Sequence, residues 1–165
     1  MTLARFALVF LLFGCAVAQA QTSPQPALTT QSTLNLALSQ EAANAAYAQC
    51  VADGQHASVA VVDDAGLTKV ILAGDGSSPL TPELARQKAY TSAMMQRTSA
   101  EYVDMWNARP NAPPMGPGLV PYAGGVPIAK GTAIVGAIGV SGGRGAGADE
   151  KCARAGIAKI QDRLK

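Results

Sequence analysis

The chain has 165 residues with 13 Lys and Arg against 11 Asp and Glu, a formal net charge of +2, and 48% hydrophobic residues. That length supports one domain with a sizeable core and not two. The near-neutral balance gives no electrostatic case for nucleic acid, and the lone histidine excludes the usual multi-histidine metal clusters.

Met1-Thr-Leu-Ala-Arg5 followed by the apolar run Phe6 to Val17 has the charge and length of an export signal, and Ala18-Gln19-Ala20 supplies a small-x-small cleavage site. The run is shorter than the roughly 18 residues that span a bilayer, so residues 1–20 are expected to be a signal peptide rather than a membrane helix. Leu12-Phe13-Gly14-Cys15 resembles a lipoprotein box, the competing route, in which Cys15 would be acylated and tether the protein to a membrane. Either way the expected location is periplasmic or secreted, or membrane-tethered as a lipoprotein. Removing 20 of 165 residues leaves 145 and lowers the net charge from +2 to +1, because Arg5 is the one charge lost. Residues 21–33, rich in Gln, Thr, Ser and Pro, read as a flexible leader, and the domain is expected to occupy 34–165.

From Ser39, a candidate cap, Glu41, Ala43, Tyr47, Cys50 and Val51 recur at helical spacing up to Gly54. Ser58 to Asp63 and Thr68 to Ala73 read as strands of a hairpin around Asp64-Ala65-Gly66. Thr81-Pro82-Glu83 predicts a capped helix from about Pro82 toward Arg97. One face of it is the line Ala85, Ala89, Ala93, which permits close approach to a sheet; another places Lys88 beside Leu84, Thr91 and Met95. Ser99 to Trp106 predicts a short helix. The prolines at 110, 113, 114, 117 and 121 exclude helix and central strand, so Arg109 to Tyr122 is expected to be an ordered loop or lid. Val126 to Ile128 and Thr132 to Val140 read as strands about a Lys130-Gly131 turn, and Ala148 to Leu164 as a last helix. The expected class is α+β, an antiparallel sheet of about five strands covered by helices.

In an oxidising compartment the two cysteines beyond residue 20, Cys50 near the end of the first helix and Cys152 near the start of the last, are expected to pair if those helices pack antiparallel. Two buried thiols are the alternative.

Gly125-Val-Pro-Ile128, Gly136-Ala-Ile-Gly-Val-Ser-Gly142, Asp149-Glu150, Ala153 and Ala155-Gly156 resemble the C-terminal signature of the GlcG/HbpS family of haem-binding or haem-degrading proteins. Ala85-Arg-Gln-Lys-Ala-Tyr-Thr-Ser-Ala93 and Val62-Asp-Asp-Ala-Gly66 resemble its upstream elements, in the right order. The resemblance implies a profilin-like α+β domain that assembles into homo-oligomers and binds haem or a related tetrapyrrole, for sensing, storage or degradation.

Haem ligands are usually His, Met, Cys or Tyr, which makes His56 a candidate for the metal. Met94, Met95, Met105, Met115, Tyr90 and Tyr122 are alternatives, with Met94 and Met95 read first as core filler on the second helix. The resemblance places Lys88 in the family's Lys-Ala motif beside Thr91 and Met95, where it could pair with a propionate, or instead with Asp75 or Glu83. The expected site therefore takes Lys88, Thr91, Met95, His56, Tyr122, Gly125 and Pro127, under the proline loop.

Gly143-Arg-Gly-Ala-Gly-Ala148 formally satisfies a dinucleotide fingerprint, but no second parallel strand is expected to follow it. A weak anion site at the following helix is opposed by Asp149 and Glu150. Ser141 lacks the context of a nucleophile elbow, so hydrolysis is not expected. Three functions remain open: a tetrapyrrole-binding protein, an enzyme on a small metabolite, and an oligomeric accessory module for a periplasmic partner.

Overall fold

The computed structural model describes residues 31–145 and 147–165; the signal peptide, the Cys15 box and most of the leader lie outside them. The elements run α1 (Leu36–Ala52), β1 (Ser58–Asp63), β2 (Thr68–Leu72), α2 (Thr81–Met95), α3 (Ser99–Asn107), β3 (Gly125–Lys130), β4 (Ala133–Ser141) and α4 (Ala148–Ile160), then a 3-10 turn at Gln161–Arg163. Every strand pairing is antiparallel, in the order β2-β1-β4-β3. The sheet thus has four strands among the described residues, where about five were expected. The segment before α1 adds no strand: Leu34 N–H donates to Val135 O at 3.0 Å and the chain turns at once into the helix.

Side-chain size differs between the two faces of the sheet. Val59 pairs with Val140 and Val61 with Ile138, and these larger residues join α1 and α4 in the main core. On the other face Ala60 pairs with Gly139 and Val62 with Ala137, so α2 lies close against small side chains. Its facing line Ala85, Ala89 and Ala93 is buried, as the spacing predicted. Since β1 is covered on both faces, it reads as a continuous apolar run rather than an alternation.

Helix boundaries moved where capping chemistry differed from expectation. Asn35 caps α1, its side chain accepting from Leu38 N–H, and Ser39 sits buried inside with its hydroxyl donating to Asn35 O at 2.8 Å. Thr81 is the first residue of α2 and its hydroxyl donates to Ser78 O at 2.7 Å, so it is spent on the preceding turn. Gln96, in the left-handed region at φ 52°, stops α2 at Met95, short of Arg97. A capping box between Thr98 and Glu101 starts α3.

Cys50 and Cys152 form a disulfide, with Cα atoms 5.4 Å apart, between α1 and α4. Both residues are fully buried. The same pair of helices is joined at the surface by Lys151 and Asp53, at 2.8 Å.

Candidate functional site

The last turn of α1 is closed by Asp53 N–H donating to Gln49 O and Gln55 N–H donating to Cys50 O, and it releases the chain at His56. The Asp53 carboxyl is held below its ordinary range, first by the hydrogen bond from Lys151 and next by Gln49. His56 is exposed, and its Nδ1 lies 2.9 Å from Asp75 O. A carbonyl oxygen only accepts, so Nδ1 carries the proton and Nε2 of the neutral ring keeps its lone pair. A backbone oxygen holding one imidazole nitrogen is the usual way a metal-ligating histidine is oriented.

Two clefts share Gly54, Gln55 and His56. One, of about 370 Å³, is polar and continues along Gly76, Ser78, Thr81, Gly142 and Arg144. The other, of about 230 Å³, is walled by Tyr47, Val51 and Asp75. Beneath the first, hydroxyls form a directed chain. Thr81 donates to Ser78 O, so it accepts from Ser58, and Ser58 in turn accepts from Ser77.

The far wall of the polar cleft is the loop between β4 and α4. Gly142 has φ 119°, and a Cβ there would stand 2.5 Å from His56 O, so only glycine permits this approach. Arg144 N–H donates to Gln55 Oε1 at 2.7 Å, which ties the loop to the end of α1. Between them Gly143 N–H donates to Asp149 Oδ1 at 2.7 Å. Asp149 Oδ2 accepts from Lys88 Nζ at 2.7 Å, and Lys88 also donates to Val140 O at 3.0 Å.

The structure does not bring the residues expected to share one site together in one place. Lys88 is 5% exposed and pairs with Asp149, not with Asp75 or Glu83. Thr91 is buried, and its hydroxyl oxygen accepts from Val120 N–H at 3.0 Å, pinning the proline loop onto α2. Gly125 lies against the same helix: a Cβ there would come 2.1 Å from Lys88 O, and its N–H donates to Ser99 Oγ at 2.8 Å. Met95, half-buried, ends α2, and its carbonyl accepts from Arg97 Nε at 3.1 Å. Tyr122 stands on the loop, 52% exposed. Pro127 sits on edge strand β3, where its missing N–H costs no ladder bond, and lines an apolar groove of about 490 Å³ with Val126, Ile157 and Ala158. His56 is the one member of the set that opens onto the polar cleft.

Arg144, Gln55 and Asp149 were not anticipated. The signal for them was the glycine run 142–147, which pointed to an anion at the helix start; in the structure Arg144 and His56 line the same cleft.

The pattern of the family described as haem degrading protein HbpS-like matches residues 34–158. The chain belongs to this family. It is 34% identical over 108 residues to protein GlcG of Escherichia coli strain K12, an alignment covering 63% of this chain and 81% of that one. Among solved structures it resembles a Streptomyces reticuli HbpS double mutant at 37% identity and a TM-score of 0.75, covering 86% of this chain and 97% of the other. A complex of PduOC with heme is similar at 25% identity and a TM-score of 0.68, covering 78% and 95%. For an HbpS-like chain the antiparallel α+β architecture is thus the family fold, and the all-antiparallel sheet leaves the glycine run no dinucleotide-binding context.

Proposed function

We propose that this HbpS-like protein binds haem or a related tetrapyrrole at the His56 clefts. The observation that carries the reading is His56 Nδ1 held by Asp75 O, which leaves Nε2 as a free, oriented nitrogen ligand. A macrocycle supplies four of the iron's ligands itself, so one protein nitrogen is enough. A bare metal ion is a poorer fit, because no group of three or more His, Cys, Asp and Glu is gathered among the described residues. Tyr47 and Val51 offer apolar contact on one side of His56, and Arg144 offers a cation for a carboxylate on the other. The family description and the heme complex of PduOC support the choice of ligand.

When bound, haem supplies oxygen chemistry given an external reductant, and the protein contributes a pocket. Binding, for sensing or storage, is the function proposed; turnover with ascorbate and oxygen would make the protein a haem-degrading enzyme. The test of binding is a hemin titration followed at the Soret band. Saturable one-to-one uptake that His56→Ala weakens at least tenfold is expected; non-saturable uptake, or an unchanged His56→Ala spectrum and affinity, overturns the reading.

We also propose export, with residues 1–20 removed and the domain periplasmic or secreted. The Cys50–Cys152 disulfide suits an oxidising compartment. Assembly into a homo-oligomer is proposed with it, supported by the open edge strands β2 and β3 and by exposed Ile71 in β2 and Leu67 just before it. Light scattering on the purified domain reads the stoichiometry.

A further inference from the structure

Lys88 has a defined place in the fold but does not line either His56 cleft. Its ammonium is enclosed, with 6% of the side chain exposed, and its hydrogen bonds go to Asp149 and to Val140 O. Asp149 passes the constraint on, because its second oxygen holds Gly143 N–H at 2.7 Å. The neighbours of Gly143 in sequence, Gly142 and Arg144, are the two loop residues that face His56 across the polar cleft. Arg144 is exposed, and its backbone is tied at one point to Gln55 of the opposite wall. Its position therefore depends on both anchors, one on each side of the loop. An arginine so placed recognises a planar anion such as a carboxylate.

We propose that the buried Lys88–Asp149 pair is a positioning device for ligand recognition: it sets the 142–144 loop so that Arg144 meets a carboxylate of the ligand beside His56. This rests on the proposed tetrapyrrole reading for the ligand's identity, but the mechanical half, from Lys88 through Asp149 and Gly143 to Arg144, does not. Lys88 never touches the ligand. Its effect is selectivity for acidic over esterified macrocycles, delivered through Arg144.

Two measurements separate these halves. Amide hydrogen exchange of the ligand-free protein reads the mechanical half: in Lys88→Met/Asp149→Asn, exchange at Gly143 and Arg144 rises at least tenfold while the core of β1 stays protected. Unchanged exchange at the loop overturns the proposal. The double variant avoids leaving a lone buried charge, and Lys88→Arg, which keeps a cation, restores part of the protection.

Hemin and its dimethyl ester, titrated in parallel, read the recognition half. Wild type is expected to prefer hemin at least fivefold, and Arg144→Ala to lose that preference. Lys88→Met/Asp149→Asn also loses it, and adding Arg144→Ala causes no further loss, the non-additivity of residues acting in one chain. Additive losses, or a preference retained in Lys88→Met/Asp149→Asn, overturn the proposal. Failure of wild type to take up either macrocycle overturns the tetrapyrrole reading and the selectivity drawn from it, and the exchange result then stands or falls alone.

Discussion

Lys88 Nζ lies 2.7 Å from Asp149 Oδ2 across the junction of α2 and α4, with 6% and 16% of the two side chains exposed. The pair sits where three elements meet, since Lys88 also holds the end of β4 through Val140 O and Asp149 holds the loop through Gly143 N–H. Removing one partner of a buried pair leaves the other charge uncompensated, which is more costly than replacing both.

Asp149→Ala strands the Lys88 ammonium and orphans the Gly143 N–H, and the expected loss of stability is about 3 kcal/mol, at the low end for buried pairs because Val140 O remains as an acceptor. Urea unfolding measures it. A loss under about 1 kcal/mol would mean that water reaches the pair in solution.

The disulfide links residues 102 apart in sequence, so it restricts the unfolded chain strongly. Cys50→Ala/Cys152→Ala is expected to lose about 2–5 kcal/mol. Because both sulfurs are buried, dithiothreitol should reduce the native protein no faster than it unfolds. Rapid reduction at native-state conditions would contradict that placement.

Gly142→Ala forces a Cβ into a backbone at φ 119° and to within 2.5 Å of His56 O. Backbone strain alone should cost about 1–3 kcal/mol. The substitution should also displace His56, so its NMR ring signals are expected to shift. Unmoved histidine signals would uncouple the loop from the opposite wall of the cleft.

Thr98→Ala removes the capping box that starts α3, at an expected cost of about 1 kcal/mol. Hydrogen bonds from the Thr98 backbone, and then its hydroxyl, hold the Glu101 carboxyl below its ordinary value. A depressed folded value gives stability that is present above the unfolded carboxylate's pKa and lost as pH falls through the folded one. The gap between wild type and Thr98→Ala should therefore narrow on acidification below about pH 4.3, the ordinary glutamate value, in thermal melts across pH. A gap constant from pH 7 to pH 2 would show that Glu101 contributes nothing to the cap.

The local signals in the sequence were strong for elements and weak for their meeting points. Apolar β-branched runs and turn residues placed all four strands, and the Ala85, Ala89, Ala93 line located the face of α2 that approaches the sheet. Cap positions were less legible. Asn35 and Ser39 are both good caps, and the choice between them depends on where the chain leaves β4's edge, at Leu34.

By itself, then, the sequence determined the antiparallel α+β class and the family, which rest on short-range patterns, and it left Cys50 and Cys152 no other partner beyond residue 20, while the packing of α1 against α4 decided that they bond. Tertiary structure decided which groups surround Lys88 and His56. Lys88 was open to a ligand carboxylate or to an ion pair with Asp75 or Glu83, and the fold supplies Asp149, in the first turn of α4, as its partner. His56 acquires Asp75 O on one nitrogen, 19 positions away, and shares the lining of a cleft with Arg144, 88 positions away, relations that no local pattern encodes. A side chain's chemistry is set by its neighbours in space, and those neighbours are chosen by the packing of whole helices against the sheet.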